Sequence, residues 1–262
     1  MEEKGIALRV WRILYPLLLY YVVMLSAMAI AQMLFGADHE HFVLCQLIST
    51  LVTLPCMLPV YRQDQALRGI DGRFSVKKEQ VLHGLWAVVI VGCLSIAANN
   101  LILMTPLAES SAGYQEANAG FYGSTLALEL VGSAAATPIL EELVFRGIVF
   151  ARLREQLPKL AATVVSAFLF AIVHFNIVQF LYALVIGAVL ALLMDKAGHL
   201  YAAVAGHITA NTIAVIRTES GFLSWSMDRS ALAWGSSAAM LLAGIGLLLW
   251  YLYGKANPKA DR

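Results

Sequence analysis

Six ionisable or amide side chains stand inside otherwise apolar stretches: Glu141, Glu142 and Arg146 in ILEELVFRG, His174 in FAIVH, and His207 with Asn211 in HITAN. A carboxylate withdrawn from water is a competent general base near neutral pH, so Glu141 could take a proton from water. The two imidazoles and the amide could orient that water, or donate hydrogen bonds to the oxyanion of a tetrahedral intermediate. This is equipment for hydrolysing an amide bond. The same Glu141, His174, His207 and Asn211 could instead hold a divalent metal such as zinc, which would then activate the water.

Spacing sorts these groups. Glu142 precedes Arg146 by one helical turn, the favoured order for an intrahelical ion pair. On an ideal helix Glu141 is turned about 140° away from Arg146, which leaves it facing another helix. His207 and Asn211 are also one turn apart and share a face.

The elements that must position them are membrane spans. The chain has 262 residues, 60% of them hydrophobic and 13% charged, too apolar for a soluble domain of that length. A span needs about 20 apolar residues, and windows of that length recur at 10–35, 42–61, 84–104, 125–151, 159–177, 179–195, 199–217 and 231–253. The expected fold is therefore an all-α, polytopic membrane bundle of about eight transmembrane helices forming a single domain over 1–262. The first run is longer than a signal-peptide core and reads as a retained span.

Basic residues orient the bundle. With the amino terminus inside, the cytoplasmic side collects Lys4, Arg9, Arg12, Arg62, Arg68, Arg73, Lys77, Lys78, Arg152, Arg154, Lys159, Lys196, Lys255, Lys259 and Arg262, and the other side only Arg217 and Arg229. Both termini are then cytoplasmic, in the plasma membrane. Counted from the cytoplasmic span ends, Glu141, His174, His207 and Asn211 lie roughly 12 to 22 Å deep, a common level near the midplane. The polar cavity they form is expected to open toward the cytoplasm or the inner leaflet. Residues 62–83 read as a cytoplasmic loop with a short basic helix near anionic headgroups, and 105–123, polar and free of basic residues, as an external loop or a cap over the bundle.

Other features carry less. Cys45, Cys56 and Cys93 stand singly and read as small hydrophobes. Glu129, Asn99 and Asn100 suit interfacial or interhelical hydrogen bonding, and His39, His41, His83 and His199, at span ends, suit solvation. The near-balanced charge offers no field for nucleic acid, and no P-loop for a nucleotide is present. Nor does the chain hold H-E-x-x-H, G-x-S-x-G or G-x-G-D, which leaves other intramembrane protease chemistries without an anchor. Taken singly, each polar group has a bland reading. Glu142 and Arg146 could simply tie helices, His174 could bond a carbonyl, and His207 with Asn211 could join two spans. Buried Glu, Arg and His also make proton relays, so a secondary transporter or proton-coupled carrier is the rival reading, and a non-catalytic scaffold the third.

Together the three stretches resemble, in order, the E-E-x-x-x-R, F-x-x-x-H and H-x-x-x-N/B motifs of the CPBP family, also called Abi, the CAAX protease and bacteriocin-processing intramembrane peptidases. The resemblance covers about 125–217, which would be the catalytic core. It implies that Glu141 activates water, that Glu142 is its partner held by Arg146, and that Phe170 packs beside the second-motif His174. His207 and Asn211 would then bind the water or stabilise the oxyanion. Members are described both as metalloproteases and as metal-independent glutamate proteases. The resemblance further implies membrane lipids and a membrane-associated or lipidated peptide as partners, in CAAX-type tail processing, leader or bacteriocin processing, or self-immunity.

Overall fold

The computed structural model describes residues 2–70 and 77–254, with side chains from residue 5 onward. Ten helices organise them: α1 Glu2–Phe35, α2 His39–Leu67, α3 Lys78–Leu103, α4 Leu107–Ser110, α5 Ala112–Phe121, α6 over 126–154, α7 Lys159–Ile172, α8 Ile177–Ala197, α9 Tyr201–Ser220 and α10 Ala231–Tyr253, with a 3₁₀ turn at Ser224–Met227. No strand occurs among the described residues. Five of the helices, α1, α2, α3, α8 and α10, are long and apolar enough to cross a membrane, and α7 is a shorter apolar helix. In hydrocarbon every backbone group must be satisfied within its own segment, which is why the chain answers its apolar composition with helices alone. Large side chains such as Leu25, Leu242 and Leu249 stay exposed along α1 and α10, as a lipid-facing surface requires. The chain is a multi-pass integral membrane protein.

Local signals fix the helix ends. Asp38 accepts from the His41 backbone N–H at 3.0 Å to start α2, and Asn176 accepts from that of Gln179 at 2.9 Å to start α8. α8 ends on Gly198, at φ 72°.

Two apolar clusters meet on α8. One joins α1, α2, α6 and α7 through Tyr20, Met57, Leu140, Phe145, Ile148 and Phe170 to Ala183 and Ala191 of α8. The other joins α3, α9 and α10 through Ile90, Leu94, Ala203 and Leu248 to Ile186, Leu190 and Leu193. Close approach in the second depends on Gly206 of α9, where an added Cβ would lie 2.9 Å from both Leu190 and Val91.

Several expectations change. α6 is not a plain α-helix: π-helical turns at Gly132–Ala136 and Leu143–Phe150 flank the α-helical Thr137–Glu142. α7 ends at Ile172, so His174 is not inside the fifth span but in the turn beyond it, where Phe175 adopts φ 55°. Of the expected loop 62–83, residues 62–67 continue α2 and 78–83 belong to α3, so neither forms a separate helix, and 71–76 lie outside the described residues. Arg73, Lys255, Lys259 and Arg262 lie outside them too, as does the side chain of Lys4. His83 and His199 are not simply solvated: His83 Nδ1 lies 2.6 Å from Tyr251 Oη, and both ring nitrogens of His199 are buried.

The basic helix ends gather on one face. Arg12 and Arg68 both reach Glu155, Arg152 reaches Asp64, and Arg154 and Lys159 both reach Asp195. These pairs bring the start of α1, the ends of α2, α6 and α8 and the start of α7 to the same level. α4 and α5 lie at the opposite ends of the helices. There His39 faces Glu116 at 3.8 Å, Phe42 packs edge-on against Phe121, and Arg229 pairs with Glu109.

Candidate active site

α6, α7 and α9 bring the three motifs together. Thr137–Glu142 is a single α-helical stretch between two π turns, an irregularity often found where a helix carries function. It places Glu142 wholly inside the protein and Glu141 at the wall of a cavity, about one fifth of its side chain exposed (19%). Arg146 Nη1 donates to Glu142 Oε1 at 2.7 Å, with both residues 0% exposed. The ion pair expected from spacing thus forms even though Arg146 lies in the π segment.

Across the helix interface, His207 of α9 stands between the two glutamates. Its Nδ1 lies 2.8 Å from Glu142 Oε1, and its Nε2 lies 3.7 Å from Glu141 Oε2. Glu142, already paired with Arg146, can only accept, so His207 donates from Nδ1 and turns Nε2 toward Glu141. This Glu142–His207 contact is the part of the site that spacing did not reveal, because it joins α6 to α9.

His174 is oriented in the same manner, with Nδ1 3.0 Å from the Phe170 carbonyl oxygen. Asn211 Nδ2 donates to the Ser133 carbonyl at 2.9 Å, which anchors the amide between α9 and the first π turn of α6. Phe170 is more than packing. Arg146 lies over its ring at 4.3 Å, and His174 and His207 meet its edges at centroid distances of 5.2 and 5.6 Å. Gly187 of α8 completes this hub by accepting from Arg146 Nη2 at 3.1 Å, and no motif marks it.

Glu141, His174, His207 and Asn211 line one cavity of about 170 Å³, whereas Glu142 and Arg146 lie behind its wall. On the same measure one water needs roughly 10–15 Å³, so hydrolytic water has room beside Glu141. The rest of the lining includes Gln46, Asn99, Asn118 and Gln179 with Tyr114, Tyr122 and Tyr182. Sequence reasoning singled out none of these except Asn99. Asn100, by contrast, is interhelical as expected: it donates to Ser226 and Ser237 and accepts from Arg217. Glu129 is buried and accepts from the Ser124 backbone at 3.2 Å.

The cavity runs from Glu141 toward α5. On the other side, toward the basic face, Met57, Phe145, Ile148, Leu190 and Leu193 fill the bundle and are at most 1% exposed. If the basic face is cytoplasmic, a cavity opening to the cytoplasm or inner leaflet is not what the structure has, because packed apolar side chains close that direction.

A metal would draw on Glu141 and the free Nε2 atoms of His207 and His174. Both imidazoles have the oriented Nδ1 typical of metal-ligating histidines. Among the described residues, however, no three His, Cys, Asp or Glu side chains converge as a metal-binding group, so the donor set as arranged does not fit a three-ligand site.

Comparison with known proteins falls on this same region. Residues 123–213 match the family described as type II CAAX prenyl endopeptidase Rce1-like. The chain is also 32% identical over 89 residues to a Bacillus subtilis (strain 168) protein named "Putative membrane peptidase YdiL", a match covering 34% of this chain and 36% of that relative. The chain thus aligns with about a third of the length of that curated relative. No solved structure matches. The three motifs converge on one cavity within the matched segment, and through residues 123–213 the chain is similar to the CAAX-protease-like membrane peptidases of the CPBP family.

Proposed function

We propose that the protein is an intramembrane endopeptidase that hydrolyses a peptide bond of a membrane-associated or lipidated polypeptide with water activated by Glu141. The observation that carries this reading is Glu141 at the cavity wall, 3.7 Å from the Nε2 of a histidine that Glu142 and Arg146 hold in place. In the proposed reaction Glu141 takes a proton from water, whose oxygen attacks the scissile carbonyl carbon. The second Asn211 amide hydrogen is available to the resulting oxyanion, and Nε2 of His207 and of His174 orient the attacking water. Collapse of the intermediate breaks the C–N bond, and protonated Glu141 gives its proton to the leaving amine.

Residues 125–217 are the proposed catalytic core of a single membrane domain that crosses the plasma membrane eight times with both termini cytoplasmic. Membrane lipids and a peptide substrate are its partners.

The test is peptidase activity of purified protein on fluorogenic membrane-associated peptides. Glu141→Gln should lower turnover by roughly 10²- to 10⁴-fold with folding unchanged. Unimpaired turnover in both Glu141→Gln and His207→Ala would sink the assignment. Activity that persists under a strong chelator would leave water activation with Glu141, whereas loss restored by zinc would assign it to a metal.

A further inference from the structure

We infer that substrate reaches Glu141 from the face capped by α5, the face opposite the basic one, and is therefore a polypeptide segment exposed on the extracytoplasmic side of the membrane. This rests on the peptidase reading above for the word substrate, but the route rests on geometry alone.

Three observations carry it. First, most cavity-lining residues on the long helices lie in the half of the helix nearer α5, with Glu141, His207 and Ala210 forming the inner end of the cavity. Gln46 is early in α2, Asn99 is late in α3, Ser133 and Thr137 precede Glu141 in α6, and Ala214 follows His207 in α9. Second, the opposite route is filled by the packed, largely apolar layer around Phe145, Ile148 and Leu190, where the buried Ser166 hydroxyl is already engaged by the Phe145 carbonyl. Third, the sequence places seven carboxylates at the α5 end (Asp38, Glu40, Glu109, Glu116, Glu129, Glu219 and Asp228) against Arg217 and Arg229, while the far end holds nearly all the remaining lysines and arginines. The excess of basic residues marks the cytoplasmic side, so the α5 face is the outer one.

The lining also says what form the substrate takes. Four carboxamides, Gln46, Asn99, Asn118 and Gln179, offer a donor and an acceptor each, and no charged side chain other than the active-site groups lines the cavity. An extended peptide exposes unpaired N–H and C=O groups that must find such partners once out of water. The chamber between α5 and Glu141 suits an unwound, uncharged stretch of main chain.

The route is tested by cysteine accessibility. With Cys56 and Cys93 replaced by alanine and buried Cys45 retained as background, single substitutions Thr137→Cys and Ala214→Cys report on the cavity, and Arg62→Cys reports on the basic face. A small membrane-impermeant methanethiosulfonate is added to right-side-out and to inside-out membrane vesicles. The expected result is reaction of Thr137→Cys and Ala214→Cys in right-side-out vesicles only, and of Arg62→Cys in inside-out vesicles only. Labelling of the cavity positions from the inside-out orientation, from both orientations alike, or from neither would overturn the route. A second arm adds a fluorogenic peptide to wild-type vesicles of each orientation. Cleavage only in right-side-out vesicles supports the inference, and cleavage only in inside-out vesicles overturns it. If labelling follows the expected pattern while neither orientation cleaves any peptide, the route stands and the peptidase reading falls.

Discussion

Two buried arginine–carboxylate pairs in this molecule are chemically alike and differently finished. At the basic face Arg152 meets Asp64 through two parallel bonds, Nε to Oδ2 at 2.7 Å and Nη2 to Oδ1 at 2.9 Å. Its remaining capacity goes to Tyr15 Oη at 2.8 Å and to the Arg12 carbonyl. Beside the cavity Arg146 holds Glu142 through one bond, and Arg146 Nε and Glu142 Oε2 have no partner. A saturated buried network ties elements together, whereas an unsaturated one costs stability and calls for another reason to exist. The reason offered by the structure is His207, which shares Glu142 Oε1 with Arg146. A second carboxylate–guanidinium fork would hold Glu142 more tightly without orienting the imidazole better.

The comparison breaks most visibly if each arginine is removed. Arg146→Met leaves the buried Glu142 charge with His207 as its one partner, so it should cost about 3–5 kcal/mol of stability and with it all measurable turnover. Arg152→Met should cost a similar amount, about 3–5 kcal/mol, because the buried Asp64 then keeps only Arg68, 3.6 Å away. The folded fraction of that variant should nevertheless keep its wild-type rate. Thermal unfolding in detergent, read beside activity per folded molecule, separates the two. Loss of rate per folded Arg152→Met molecule would show that the basic-face pair also serves the site.

A subtler change sharpens the contrast. Glu142→Gln keeps the shape but removes the charge that selects the His207 tautomer, so turnover should fall by about 10²-fold, within the range of acid–base contributions. KM should hardly move, because Glu142 does not line the cavity. An effect confined to KM would instead place Glu142 in substrate binding. Smaller again is Gly187→Ala. The added Cβ would lie 3.0 Å from Arg146 Nη2 and 3.1 Å from Phe170 Cδ1, so the hub must shift by a fraction of an ångström. A rate loss of roughly tenfold with about 1–3 kcal/mol of destabilisation is expected. Unchanged kinetics would mean that the Arg146–Phe170 stack has slack.

How much of this the sequence announced differs from group to group. The helical membrane bundle was legible because apolar windows long enough to span recur along the chain. The Glu142–Arg146 pair was legible because a one-turn spacing fixes neighbours on a single helix. What was not legible depends on more than one helix or on departures from ideal geometry. The π turn at Leu143–Phe150 leaves no mark in a uniformly apolar run. His207 meets Glu142 only because α9 packs on α6. Gly187 is one small residue in the apolar α8, and its role appears only once Arg146 is opposite. The stretch AGYQEANAGF, expected as part of an external loop or a cap over the bundle, folds as α5 with Gly120 against the Phe42 ring and roofs the cavity; its helix was hidden by its polar, glycine-bearing composition.

The gentlest test lies beside His174. Phe175 holds φ 55° with its ring 90% exposed, a left-handed conformation that costs an L-residue about 1–2 kcal/mol. Glycine would remove that cost, offset in part by about 0.5–1 kcal/mol of extra chain entropy in the unfolded state. Phe175→Gly should therefore raise stability by about 0.5–1 kcal/mol, measurable as a higher unfolding temperature in detergent. If the turn exists only to bring His174 to the cavity after α7 has ended, glycine makes the same turn and the rate should be unchanged. A more stable protein with a lower rate would mean that strain is retained for the exposed ring, which would then contact lipid or substrate at the mouth of the site. A less stable protein would mean that the ring is held by contacts that outweigh the strain, and the unmarked turn after α7 would join the Arg152 pair as a structural feature.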